Sequence, residues 1–215
     1  MNWLYKFKER FLQDWFNLNS FAFFAVICLL YFAMFILKKM FILENIAAFE
    51  ILQDRGEMWV MNLFFALQNF SIPIFLAWKF TLTAFMLWVG CFLFGYRIYF
   101  RDLWKMVMIM ELVFILPELL KIFYFVFLQT DPTYHDYVAF YPLSLINMVD
   151  YTNVNPAFIY PLKSLNLFEV LYALMLTLGI FSLSGKKSNY APRIILISYV
   201  GVYLLWLVYY TIVYK

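Results

Sequence analysis

Apolar residues run in long blocks, with polar residues confined to short gaps between them. Residues 20–37 contain no charge and no helix breaker, and Lys38 and Lys39 follow at once. Eighteen such residues make a helix about 27 Å long, close to the hydrocarbon thickness of a bilayer. The same pattern predicts spans over about 104–128, with Pro117 inside it, and over about 166–184 and 191–213. The stretch 58–95 is longer and is interrupted by Gln68, Asn69, Ser71 and Pro73, with Lys79 beyond. Proline removes a backbone donor and disturbs a helix, and Ser-Ile-Pro is too short and too apolar for a hairpin. The prediction there is a re-entrant or interfacial helix over 58–75, then a span over 76–95.

Two stretches are amphipathic instead. In residues 2–18, Trp3, Phe7, Phe11 and Trp15 recur every fourth residue, while Lys6, Glu9, Arg10, Gln13 and Asp14 occupy the rest of the circumference. Such a helix, within residues 1–19, suits the headgroup layer, or it packs on the chain's own spans. Residues 39–55 place Ile42, Leu43, Ile46, Phe49 and Leu52 at helical spacing, with Glu44, Glu50 and Asp54 opposed. Gln53 to Glu57 reads as a turn. The loop 129–165 holds four prolines and seven Tyr or Phe residues, which predicts a segment ordered on the membrane surface or on a partner.

Composition agrees with lipid as the solvent. Of 215 residues, 66% are hydrophobic and 13% charged, against about 25% charged in soluble domains. The net charge of +3 includes no basic run suited to nucleic acid. Cys28 and Cys91 lie in apolar blocks and read as small hydrophobes rather than a disulfide. With five spans and the N-terminus inside, Lys6, Lys8, Arg10, Arg97, Arg101, Lys105, Lys186, Lys187 and Arg193 are cytosolic, nine cations against five outside. The positive-inside tendency therefore favours N-in and C-out, with Lys38 and Lys39 as exceptions.

Little in the chain speaks of chemistry. The single histidine, His135, flanked by Asp131 and Asp136, cannot by itself build a zinc site of the common kinds. No phosphate loop, HExxH or GxSxG is present. No catalytic, cofactor-binding or metal-binding residue is expected. One constellation stands out, a candidate intramembrane polar face of Glu111, Glu118, Lys121 and Lys79. Glu111 and Glu118 are seven apart and share a helix face, and Lys121 lies within reach of Glu118. A charge at mid-bilayer costs roughly 2.5–3.5 kcal/mol, so the set should face the bundle interior. Glu111 is expected to be neutral, wetted by a crevice or paired with Lys79. Glu169 is a further possible partner.

Phe100-Arg101-Asp102-Leu103-Trp104-Lys105 leads into Phe114-Ile115-Leu116-Pro117. Leu165 to Tyr172 (Leu-Asn-Leu-Phe-Glu-Val-Leu-Tyr) is followed by Leu178-Gly179-Ile180, a Gly-Lys-Lys-Ser turn and Ala191. Over residues 76–213 this resembles the bacterial Yip1-like (YIP1 family) multi-pass membrane proteins. The resemblance implies a basic turn before a span with a central proline, two closing spans, five spans in all and a cytosolic amphipathic N-terminus. It implies no catalytic residue.

The sequence thus predicts an all-α integral membrane bundle of five transmembrane helices in a bacterial cytoplasmic (inner) membrane. It has an N-terminal interfacial helix and no enzymatic activity. The expected partners are the lipid bilayer and other membrane proteins, which the chain binds or organises. The alternative is a small permease or channel subunit whose carboxylate face lines the path. Broken helices at membrane depth point towards transport, but no internal repeat is visible.

Overall fold

The structure, a computed structural model, describes residues 19–43, 58–129, 133–150, 153–184 and 190–214. The expected N-terminal helix, most of the amphipathic stretch 39–55 and the turn at 185–189 lie outside the described residues. Every described element is helical. Helix α1 covers Ser20–Phe41 and α2 covers Met58–Leu93. Helix α3 (Phe100–Met110) passes through a 3₁₀ turn, Glu111–Phe114, into α4 (Ile115–Phe127). Short helices α5 (Tyr134–Ala139) and α6 (Pro156–Ser164) flank a 3₁₀ turn at Leu145–Met148. Helix α7 covers Leu167–Leu183. The last run is α8 (Ala191–Ile195), a π turn at Leu196–Gly201 and α9 (Val202–Val213).

Three of these runs are long and apolar enough to cross a membrane, namely Ser20–Phe41, Trp59–Leu93 and Ala191–Val213. Helix α7 is apolar but shorter, at 17 residues. The expected span over 104–128 is divided by the 3₁₀ turn. Pro117 explains the division. It has no N–H for the carbonyl of Val113, and proline is accommodated best in a first helical turn. Helix α4 therefore restarts two residues before it.

The predicted break over 58–75 is not there. Residues 58–93 form one helix of 36 residues, about 54 Å at 1.5 Å per residue. Pro73 sits inside it. A proline costs one backbone bond, here to the carbonyl of Asn69, whereas a full break would expose several polar groups to lipid. Ser71 Oγ donates to the Gln68 carbonyl at 2.7 Å, one turn before the proline. The helix stops where glycine permits it. Gly95 has φ +76°, its N–H donates to Phe92 O at 3.0 Å, and Tyr96 N–H donates to Cys91 O at 2.8 Å. This paired bonding is a Schellman end.

The other helix ends follow side chains that satisfy orphan amides. Asn19 Oδ1 accepts from Phe21 N–H at 3.1 Å, and Lys38 and Lys39 close the last turn of α1. Thr133 and Asp136 form a capping box on α5. Asn155 caps α6 and Asn166 caps α7, accepting from Ala157 and Glu169 N–H respectively. The bridge Ser144–Asn166 ties the loop to the start of α7. Within its described residues the expected loop 129–165 is folded on itself.

The contacts divide into two units. Among the described residues, one contains 19–27, 77–112 and those of 170–209; the other contains those of 28–76, 113–169 and 210–214. In the first, Phe24, Phe80 and Trp104 meet with ring centroids 5.9–6.2 Å apart. A Cβ on Gly90 would lie 2.6 Å from Ser198 Cβ, so that contact requires glycine. In the second, Phe35, Ile42, Leu43, Phe65 and Phe125 form a buried cluster. Large apolar side chains, among them Trp59, Phe70, Ile74 and Trp78 on α2, remain exposed. Lipid covers such surface in a membrane protein.

Candidate functional site

The four residues of the expected polar face separate into two arrangements. In the first unit, Lys79 of α2 meets Glu111, the first residue of the 3₁₀ turn, at 2.6 Å. The carboxylate is shut away from the surface (side chain 1% exposed), while the lysine keeps 33%. Helix α3 explains the burial. Its residues Met106 to Met110 are all buried, and Glu111 follows them directly into the packed region.

In the second unit, Glu118, in the first turn of α4, does not pair with Lys121. Its Oε2 accepts from Lys38 Nζ, in the last turn of α1, at 2.6 Å. Both side chains are about one-fifth exposed, at 20% and 23%. Lys121 is buried and turns to backbone instead. It donates to Tyr137 O at 2.6 Å and to Phe140 O at 3.1 Å, and its ammonium lies 4.1 Å from the Tyr137 ring centroid. The ring face adds cation–π attraction.

Lys163 of α6 donates to Val138 O at 2.8 Å. Three carbonyl acceptors at the C-terminal end of α5, those of Tyr137, Val138 and Phe140, are thus held by two lysines. A helix end exposes orphan carbonyls with partial negative charge, and ammonium groups complement both. Burial pushes the Lys163 ammonium below the usual lysine range and the Tyr137 hydroxyl above the usual tyrosine range.

The remaining sequence candidates have local roles. Asp136 Oδ2 accepts from the Thr133 N–H and hydroxyl at 2.8 and 2.6 Å, so the carboxylate beside His135 is a helix cap. Glu169 lies in the first turn of α7, where the helix dipole favours a carboxylate. A cleft of about 490 Å³ lies beside α4 and α5, with Tyr124, Gln129, Asn147 and Asp150 in its wall. Among the described residues no three of His, Cys, Asp and Glu converge as metal ligands would.

The sequence reading missed Lys38 and Lys163. Lys38 carried a signal, because it stood as an exception to the positive-inside count. A cation on the less basic side, at the end of a span, is a candidate for internal pairing. Lys163 carried no comparable signal. No protein-family model, curated protein or solved structure matches the chain.

Proposed function

We propose that the chain is a non-enzymatic multi-pass membrane protein that binds or organises other membrane proteins. The observation that carries this reading is the disposition of the polar face. Glu111, Glu118 and Lys121 are each bonded within the protein, to Lys79, Lys38 and backbone carbonyls. Charges fixed in this way act as struts between helices. The large apolar and aromatic surface of α2 is then the part left for contact with neighbours in the bilayer. In this reading the chain has five spans, its N-terminus is cytosolic and it resides in a bacterial inner membrane. A fusion reporter placed after Lys187 then reports the cytosolic side. The Yip1-like resemblance over residues 76–213 belongs to the same proposal.

A second reading, a small permease or channel subunit, is favoured by one observation. Glu111 is a buried carboxylate at a helix discontinuity, the 3₁₀ turn after α3. Such breaks accompany transport sites. Two measurements distinguish the readings. Cross-linking in native membranes, followed by gentle purification, should recover specific membrane proteins, and alanine or polar substitutions at Trp78, Phe85 and Trp88 should release them. Proteoliposomes of the chain should hold a proton gradient as well as empty ones. A leak that Glu111→Gln abolishes while the fold is retained would replace the organiser by the transporter.

A further inference from the structure

We infer that the turn 143–149 is seated in lipid at the bilayer interface, where it lengthens the apolar wall of α7 against the headgroup ends of the acyl chains. The inference rests on the five-span reading only in taking α7 as a span. It is independent of whether the chain organises partners or transports.

Length motivates it. Helix α7 has 17 residues. That is about 26 Å at 1.5 Å per residue, roughly 4 Å short of a hydrocarbon core of about 30 Å. The turn is bonded to the start of this helix. Leu167 N–H donates to Leu143 O at 3.1 Å, Leu145 N–H donates to Leu165 O at 3.0 Å, and Ser144 and Asn166 form an antiparallel bridge between them. Antiparallel pairing carries Ser144 and Leu145 away from the first residue of α7. Two extended residues add up to about 6–7 Å, enough to cover the deficit.

The surface of the turn matches that of the helix. From 137 to 149 the sequence holds no charged residue. Ser144 and Ile146 are buried, while Leu143, Leu145, Met148 and Val149 face outward, Met148 with 82% of its surface exposed. Along α7 the exposed Leu167, Val170, Leu171, Leu174 and Leu178 make one stripe at helical spacing. Glu169 falls about 200° round the helix from Leu167, away from that stripe. The backbone bond between Leu143 and Leu167 joins the turn to the end of the stripe, so lipid lying along α7 continues onto the turn.

Irregular backbone beside lipid needs its polar groups bonded within the protein. Here Tyr141 O accepts from Ser144 Oγ at 2.6 Å and from Asn147 Nδ2 at 2.7 Å. Asn147 N–H donates to Ser144 O at 3.2 Å, and Val149 N–H donates to Ile146 O at 3.3 Å. Leu143 has φ +53°, a backbone that suits glycine or asparagine better, so what the leucine supplies is its side chain. Asp150 follows the turn at once. The turn therefore reaches the outer edge of the hydrocarbon and not its middle, where a carboxylate is costly.

The test places a nitroxide on single cysteines in the full chain, on a Cys28→Ala, Cys91→Ala background, in phosphatidylcholine vesicles that hold no other protein. The labelled variants are Met148→Cys, Leu174→Cys in the middle of α7, and Arg97→Cys in the link between α2 and α3. All three positions are exposed, so labelling leaves the packing intact, and circular dichroism checks that the helices are retained. The readout is the ratio of collisions with oxygen, which concentrates in hydrocarbon, to collisions with a water-soluble nickel complex.

The ratio should be highest at 174, intermediate at 148 and lowest at 97. Adding Leu143→Asn together with Leu145→Asp, two changes at exposed side chains, should move the ratio at 148 to the value at 97. The inference is overturned if 148 matches 97 while 174 is high, an outcome that keeps α7 as a span and leaves the turn to a protein partner. It is also overturned if the paired substitution leaves the ratio at 148 unchanged. A low ratio at 174 would take α7 out of the bilayer and overturn the five-span reading and the inference together.

Discussion

Glu111 and Glu118 are seven residues apart on one helical run, yet their surroundings differ in kind. Glu111 is sealed from solvent and bonded to Lys79, whose own side chain is one-third exposed. Glu118 is partly exposed and is paired with Lys38, which is partly exposed as well. Winding contributes to the difference. Seven α-helical residues fall about 20° short of two turns, but four of them wound as 3₁₀ carry the second residue about 60° past. The shared face expected from an unbroken helix is therefore lost across the turn Glu111–Phe114. The contrast teaches that a carboxylate's role on a helical run follows its local winding and exposure, more than its sequence spacing.

The strongest way to break this contrast is Lys79→Met. It leaves Glu111 buried beside a missing partner and should cost about 3–5 kcal/mol of stability. Thermal unfolding in detergent measures it, and the double variant Lys79→Met with Glu111→Gln should recover a large part of the loss. Equal loss in the single and double variants would show that Glu111 does not depend on Lys79.

Lys121→Met comes next. Removing a charged donor from two backbone carbonyls should cost about 2–3 kcal/mol. The loss should be local, so limited proteolysis should cut within residues 133–150 sooner than in the parent protein. Uniform loosening would mean that Lys121 supports the whole bundle rather than α5.

Gly90→Ala tests whether the first unit is as tightly packed as its sealed carboxylate suggests. The added methyl meets Ser198 Cβ and Oγ, and Ser198 Oγ is itself held by Ile194 O at 2.6 Å. Overpacking of this sort costs about 1–3 kcal/mol. Gly179→Ala meets only the flexible side chain of Met106 and should cost less.

The smallest effect is expected at the exposed pair. Lys38→Met should cost about 1 kcal/mol or less, because a partly exposed ion pair is weak. A double-mutant cycle sharpens the point. Coupling between Glu118→Gln and Lys38→Met should exceed coupling between Glu118→Gln and Lys121→Met. The reverse order would restore the pairing that sequence spacing suggests.

Much of the helical architecture could be read from the chain. The uncharged run ending at Lys38 and Lys39 corresponds to α1, and the apolar run from 191 to 213 corresponds to the last helical run. The pairing of Glu111 with Lys79 was one of three environments the sequence allowed. The region 58–75 was misread because Gln68, Asn69, Ser71 and Pro73 look like a break by the standards of water. In an apolar surrounding the helix keeps its backbone bonds and absorbs the proline. Helices α5 and α6 were hidden within a proline-rich loop, although Thr133 with Asp136, and Asn155 before Pro156, are capping signals.

Length, apolarity and the capping residues act over a few positions, and for that reason the sequence alone determined the helical class and the long apolar runs of α1 and of the last helical run. Partner choice was decided by tertiary structure. Lys38 reaches Glu118 across 80 residues of chain, and Lys121 passes over its near neighbour for carbonyls 16 and 19 residues away. A charged group excluded from water takes whichever opposite charge or dipole the packing brings within about 3 Å, and that geometry depends on how distant helices are wound and placed.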